Sequence, residues 1–320
     1  MAAAADLQPM AIAPRAPGDY GPAAGGRAVE ALQDASEPLR GARILHVSAA
    51  GAEGRVPEFL GGLLPLAAGA GVEIEWRVLF GSAELRATSA ALMSGLRGGE
   101  SAIEDGAWEE YLDACERTAA SLHDGYDAVV LHDAALGLAA GLAGGPAVLW
   151  RLHEDASRAE PDSLARAAGL AERCAAVLVS DDSFAPPALQ DGRLQVAAPG
   201  IDPLDPRNLE LESRLPGRVV RPLGVDLERP FCLQVLELDR WDDPHAAIDA
   251  FRVAKAEEPE LQLVLAALLD RAATESWQAA KEISDYAEGM DGVLLLTTYE
   301  GLGSLEVGAL LLLGRTMIEA

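Results

Sequence analysis

Phe231 to Pro244, reading Phe-Cys-Leu-Gln-Val-Leu-Glu-Leu-Asp-Arg-Trp-Asp-Asp-Pro, constrains the fold of this chain more than any other stretch. Phe231 to Val235 predicts a buried strand. Asp243-Pro244 predicts the start of a helix running to about Glu257, with Asp243 as its cap and Pro244 at its first position. A strand, a short polar loop and a helix N-terminus are the parts with which an α/β fold holds phosphate. The same alternation continues: a strand over 261–267, a helix over 275–288, a strand over 292–297 and a helix over 304–313. Alternating strands and helices imply parallel pairing with right-handed crossovers.

The first half is built the same way. A helix is predicted from Ala28 to Leu39, and strands at Arg43 to Val47, Val72 to Phe80, Asp127 to Leu131, Ala147 to Leu152 and Ala175 to Ser180. Val56, Phe59, Leu60, Leu63, Leu64 and Ala67 form a 3.6-residue stripe on one intervening helix. Further helices are predicted over 83–96, 104–122 and 161–173. Two strands run into polar residues at their C-terminal ends: Leu131 into His132-Asp133, and the next into Trp150-Arg151-Leu152-His153-Glu154-Asp155. In an open parallel sheet those ends form the ligand crevice, so His132, Asp133, Trp150, Arg151, His153 and Asp155 are expected to converge. The loop Ser48 to Arg55 contributes Gly54, and Glu58 follows it.

Composition narrows the function. The formal net charge is −26, with the acids spread along the helices, and such a surface repels nucleic acid and anionic lipid. Only Lys255 and Lys281 are lysines, which leaves Schiff-base chemistry few candidates. Cys115, Cys174 and Cys232 are far apart and have no metal spacing; they read as buried, reduced thiols of a cytoplasmic protein. The apolar run from Ala134 to Trp150 is broken by Gly144-Gly145-Pro146, and no secretory leader is read at the N-terminus, so no membrane association is expected. Gly301-Leu302-Gly303 lacks the third glycine of a dinucleotide fingerprint, since Glu306 stands there. No serine elbow or metal-binding His pair is present, and no cofactor is called for.

Several motifs resemble the trehalose-forming retaining glycosyltransferases, which have the GT-B fold. Trp150-Arg151, His153 and Asp155 match four of the six residues of the family's Trp-Arg-Cys-His-Ile-Asp. His132-Asp133 matches the start of its His-Asp-Pro-Gln-Pro. Pro199 to Asn208 follows its Pro-Pro-x-Ile-Asp-Pro-Leu-Ser-x-Lys-Asn. Val56 and Glu58 match the family's glycine-rich first loop, of whose three glycines Gly54 alone remains. Gln234-Val235, Asp239, Trp241 and Asp243-Pro244 are similar to the loop that opens the family's second domain. In the family an Arg and a Lys of that loop hold the donor diphosphate, and here those places are Glu237 and Asp242.

The resemblance implies a GT-B-like chain of two Rossmann-type domains with parallel sheets. The expected division is a mobile segment at 1–28, an acceptor-side domain at 29–214, a linker at 215–230 and an incomplete donor-side domain at 231–320. It implies His153 beside the donor sugar as the catalytic candidate, with Gly54, Glu58, His132, Asp133, Trp150, Arg151 and Asp155 around the sugars. The donor would be UDP-, GDP- or ADP-glucose, and the reaction glucosyl transfer to glucose. With acidic residues at 237 and 242, and with no counterpart of the family's donor-binding Glu segment before Ala320, a degenerate enzyme with impaired donor binding is expected. The alternatives are a non-catalytic subunit of a full-length glycosyltransferase, and an active enzyme using other residues. Apolar residues in the second domain favour association, as a homodimer or with a full-length paralogue.

Overall fold

The computed structural model describes residues 6–49, 54–122, 125–236, 243–268 and 274–318. The chain forms two compact units, Met1–Ile201 and Asp202–Ala320.

The first unit is built on a seven-stranded sheet. Its strands are β1 (Asp6–Met10), β2 (Arg43–Ser48), β3 (Glu73–Phe80), β4 (Ala128–His132), β5 (Ala147–Arg151), β6 (Ala176–Val179) and β7 (Leu194–Val196), in the order β1-β3-β2-β4-β5-β6-β7. All neighbours are parallel except β1, which runs antiparallel to β3. Side chains alternate across a strand, so each face has its own core. Leu45 and Val47 of β2 join Val129, Leu131 and Trp150 on one face, under Leu92, Leu96, Tyr111 and Leu122. Trp76 and Val78 of β3 face the helix Arg55–Gly69 on the other, packed on Leu60 and Leu64. His46 and Ser48 share this second face, where Trp76 donates its indole N–H to Ser48 Oγ at 2.8 Å.

The N-terminal segment departs from expectation. In place of a mobile tail, residues 6–10 pair with β3, Leu7 opposite Leu79. Met10 and Ile12 pack against the Trp76 cluster, and Arg15 donates its backbone N–H to Pro65 O at 2.9 Å. The physical reason is the edge of β3, whose outer hydrogen-bonding groups need partners.

The second unit carries a four-stranded parallel sheet ordered β10-β9-β8-β11, from β8 (Phe231–Leu236), β9 (Gln262–Ala267), β10 (Val293–Thr297) and β11 (Thr316–Met317). Three of these strands were expected. The fourth, β11, is two residues long and has no period to read, yet it covers one edge of β8. The stretch 215–230, expected as a linker, belongs to this unit. It contains the helix Leu215–Val220, and Val220 and Val225 are buried with Val307 and Leu310. Asp243 caps the helix Pro244–Glu257, accepting the Ala246 N–H at 2.8 Å. Leu311 and Leu312, on the helix Ser304–Leu313, are exposed. Cys115 and Cys174 are buried free thiols, each raised to about 12 by burial, and Cys232 is half-buried.

No helix among the described residues is long and apolar enough to cross a membrane.

Candidate functional site

β4 and β5 are neighbours in register, His132 opposite Arg151, so their C-terminal ends lie side by side. The chain turns sharply after β4. Asp133 has φ 44°, the only positive value outside glycine among the described residues. An aspartate tolerates this left-handed backbone better than most L-residues do. The turn buries its carboxyl group, and Oδ1 accepts the backbone N–H of His153 at 2.7 Å. Its carbonyl accepts the Trp150 indole N–H at 3.2 Å. Burial pushes the Asp133 carboxyl up to about 7, although the His153 N–H opposes the shift.

Three imidazoles form a row beside this turn. His46 Nδ1 lies 3.0 Å from His132 Nε2, and His132 Nδ1 lies 2.9 Å from His153 Nε2. Burial lowers His46 to about 4 and His153 to about 4, the Arg151 cation helping at His153. His132 falls well below the ordinary histidine value, first through burial and then because a charge on it would be opposed by His46, His153 and the Arg151 cation. All three rings are therefore neutral near pH 7. Their nitrogens pair with one another in line and do not converge on a point, and no cluster suited to a metal ion occurs among the described residues.

The remaining walls are Phe59 and Arg151. Phe59 sets its ring edge-on to His153, centroids 5.2 Å apart, and the Arg151 guanidinium lies 5.9 Å from the Phe59 ring centre. Arg151 is 3% exposed. It donates from Nη2 to Ser180 Oγ at 3.1 Å, while Nε and Nη1 have no hydrogen-bond partner among the described residues. Burial lowers its basicity, and Asp133 resists the change. Glu154 is held by Arg97 at 2.6 Å, with Arg55 4.0 Å away.

The structure thus brings His132, Asp133, Trp150, Arg151 and His153 together, as the strand ends suggested. Their roles differ. Trp150 and His132 are buried behind the site and hold Asp133 and His153, whereas His153 is half-exposed. Asp155 lies further out, where its Oδ1 accepts the Ser157 N–H at 2.8 Å. Gly54, with φ 100°, caps the helix Arg55–Gly69, and Glu58 is exposed on that helix's first turn. That helix also supplies Phe59 and Arg55 to the site. Glu237 and Asp242 lie outside the described residues. Sequence reasoning missed His46, Phe59 and Ser180. The available signal was that His46, like His132, stands near the C-terminal end of a predicted strand.

The profile of the trehalose synthase N-terminal domain matches residues 46–186, which contain the whole cluster. The chain is 34% identical over 295 residues to trehalose synthase of Rubrobacter xylanophilus, covering 90% of this chain and 71% of that protein. This chain belongs to the trehalose synthase family. Another member, trehalose synthase of Pyrococcus horikoshii, is 27% identical over 305 residues, covering 91% and 71%. Among solved structures, an α,α-trehalose-phosphate synthase from Burkholderia vietnamiensis matches with a TM-score of 0.56 at 15% identity, over 80% of this chain and 72% of that one. The Burkholderia xenovorans enzyme, crystallised with glucose-6-phosphate, matches with a TM-score of 0.58 at 14% identity, over 96% and 77%. These likenesses establish the GT-B fold for this trehalose synthase relative.

Proposed function

We propose that this trehalose synthase relative keeps a sugar-binding site at the ends of β4 and β5 but binds its nucleotide-sugar donor weakly. The family reaction moves glucose from a nucleotide sugar to glucose with retention. In that reading the half-buried His153 meets sugar oxygens, with the buried Arg151 cation beside it. The uncharged imidazoles suit hydroxyl groups, which need hydrogen-bond partners and carry no charge of their own.

The observation that carries the reading is the pair of acidic residues Glu237 and Asp242, which the motif resemblance aligns with an Arg and a Lys of the family. Each carboxylate within about 4 Å of a phosphate oxygen costs on the order of 4 kcal/mol at an effective dielectric of about 20. Screening and side-chain retreat reduce this, and a net loss of about 3 kcal/mol lowers affinity more than a hundredfold. Calorimetry with UDP-, GDP- and ADP-glucose is expected to give millimolar or weaker binding, and glucosyl transfer is expected to be slow or absent. Micromolar binding of any of the three would overturn the proposal. The double change Glu237→Arg with Asp242→Lys is expected to tighten donor binding at least tenfold, roughly half of the lost free energy.

A further inference from the structure

The three imidazoles meet edge to edge, with their ring planes only slightly tilted from one another. Ring centroids lie 5.3 Å apart between His46 and His132 and 5.2 Å apart between His132 and His153, with interplanar angles of 24° and 28°. Each N···N contact holds one proton, and a neutral imidazole offers one N–H and one lone pair. Two neutral arrangements satisfy both contacts. Either every ring carries its proton on Nδ1, or every ring carries it on Nε2. The first leaves His153 with an outward N–H at Nδ1, and the second leaves it with an outward lone pair. A charged His132 donating in both directions would also satisfy the contacts, but that ring is 2% exposed and has the Arg151 cation nearby.

We propose that His46 and His132 are positioning residues that join the three rings into one tautomeric unit and so set whether His153 offers a donor or an acceptor to a sugar hydroxyl. This rests on the reading of His153 as a sugar contact. Which nitrogen of a histidine carries the proton is set by the hydrogen bond the other nitrogen makes. The orientation of His153 is already held by Asp133 on its backbone N–H and by the Phe59 edge, and turning the ring over would replace Nε2 with carbon against His132. The tautomer is the freedom that remains, and the row ties it to the tautomers of His132 and His46. A hydroxyl has a single proton, so the tautomer of His153 decides what that hydroxyl offers to its next neighbour.

Long-range ¹H–¹⁵N spectra of the histidine-labelled protein at pH 7.5 test this directly. The expected result is three neutral rings in the same tautomer. Mixed tautomers along the row, or an imidazolium at His132, would overturn the proposal. In His46→Leu the row loses its end, and the tautomer populations of His132 and His153 are expected to shift from those of the unaltered protein, with glucose affinity reduced about fivefold. His46→Asn places an amide near the Nδ1 position that can pair with His132 Nε2 in either sense, and is expected to keep His132 and His153 in matching tautomers with glucose affinity near that of the unaltered protein. A His153 spectrum unchanged in His46→Leu would also overturn it. Should that variant not fold, the unaltered protein and His46→Asn decide the matter. If the unaltered protein binds no glucose, the sugar-site reading fails while the spectra still judge the row.

Discussion

At the scale of single residues, the buried ionisable groups tie stability to pH. His46 and His153 titrate near 4 in the folded chain and His132 well below its ordinary value, so between about pH 6.5 and 4 the unfolded state binds more protons. Stability is therefore lost as pH falls through this window, by roughly 3 kcal/mol for His46 alone. Asp133 acts in the opposite sense. Its folded value of about 7 means that the folded state holds the extra proton between about pH 4 and 7, so its contribution declines as pH rises. Three histidines against one aspartate make acid the destabilising direction, and thermal unfolding is expected at a lower temperature at pH 4.5 than at pH 7. An Asp133→Asn chain keeps an acceptor for the His153 N–H without a buried charge. At pH 8 it is expected to be more stable by about 2 kcal/mol, read from urea unfolding. A less stable variant at that pH would contradict the buried-acid assignment.

At the scale of elements, the segment that follows β4 carries the site turn and depends on close packing. Asp133–Gly141 is a 3₁₀ run pressed onto the helix Asp105–Ala119. A side chain at Gly137 would overlap Tyr111 Oη and lie 2.7 Å from Cys115 Sγ. Tyr111 is 2% exposed and donates its hydroxyl to Ala134 O at 3.0 Å, so it has nowhere to retreat. Gly137→Ala is expected to destabilise the protein by about 1–3 kcal/mol, and a scanning-calorimetry midpoint equal to that of the unaltered chain would refute the packing argument. Elements with strong local signals were legible. The helix Ala83–Leu96 starts where Ser82 accepts the Leu85 N–H, and the helix Pro161–Ala171 starts with proline behind the Glu160 cap. β1 was not legible, because Asp6–Met10 has no alternation and is flanked by Ala, Pro and Gly, and its partner is 70 residues away.

At the scale of the whole molecule, charge dominates. With 51 acidic against 25 basic residues, the chain repels itself when compact. Its cations are used sparingly: Lys255 and Arg229 both reach Asp291, at 3.0 and 3.3 Å. Salt shortens the reach of exposed charges to about 8 Å at physiological ionic strength and about 3 Å at 1 M. Raising sodium chloride from about 0.05 to 0.5 M is therefore expected to raise the unfolding temperature, as the screened repulsion outweighs the screened surface pairs. A flat or falling midpoint by circular dichroism would show that the pairs prevail.

The sequence alone determined the alternation of strands and helices, and with it the parallel sheets, because hydrophobic period is a local property. It also determined that His132-Asp133 and Trp150 to His153 would stand together, since strand ends on one edge of a parallel sheet share a crevice. It carried the family signature through residues that need no geometry to be read. Only the tertiary structure decided that His46 joins them. His46 lies 86 positions before His132 and meets it because β2 is placed between β3 and β4. Strand order is set by how the helices pack on both faces of the sheet, and no window of sequence contains that information. The same holds for β11, whose two residues are a strand only because β8 offers them an unpaired edge.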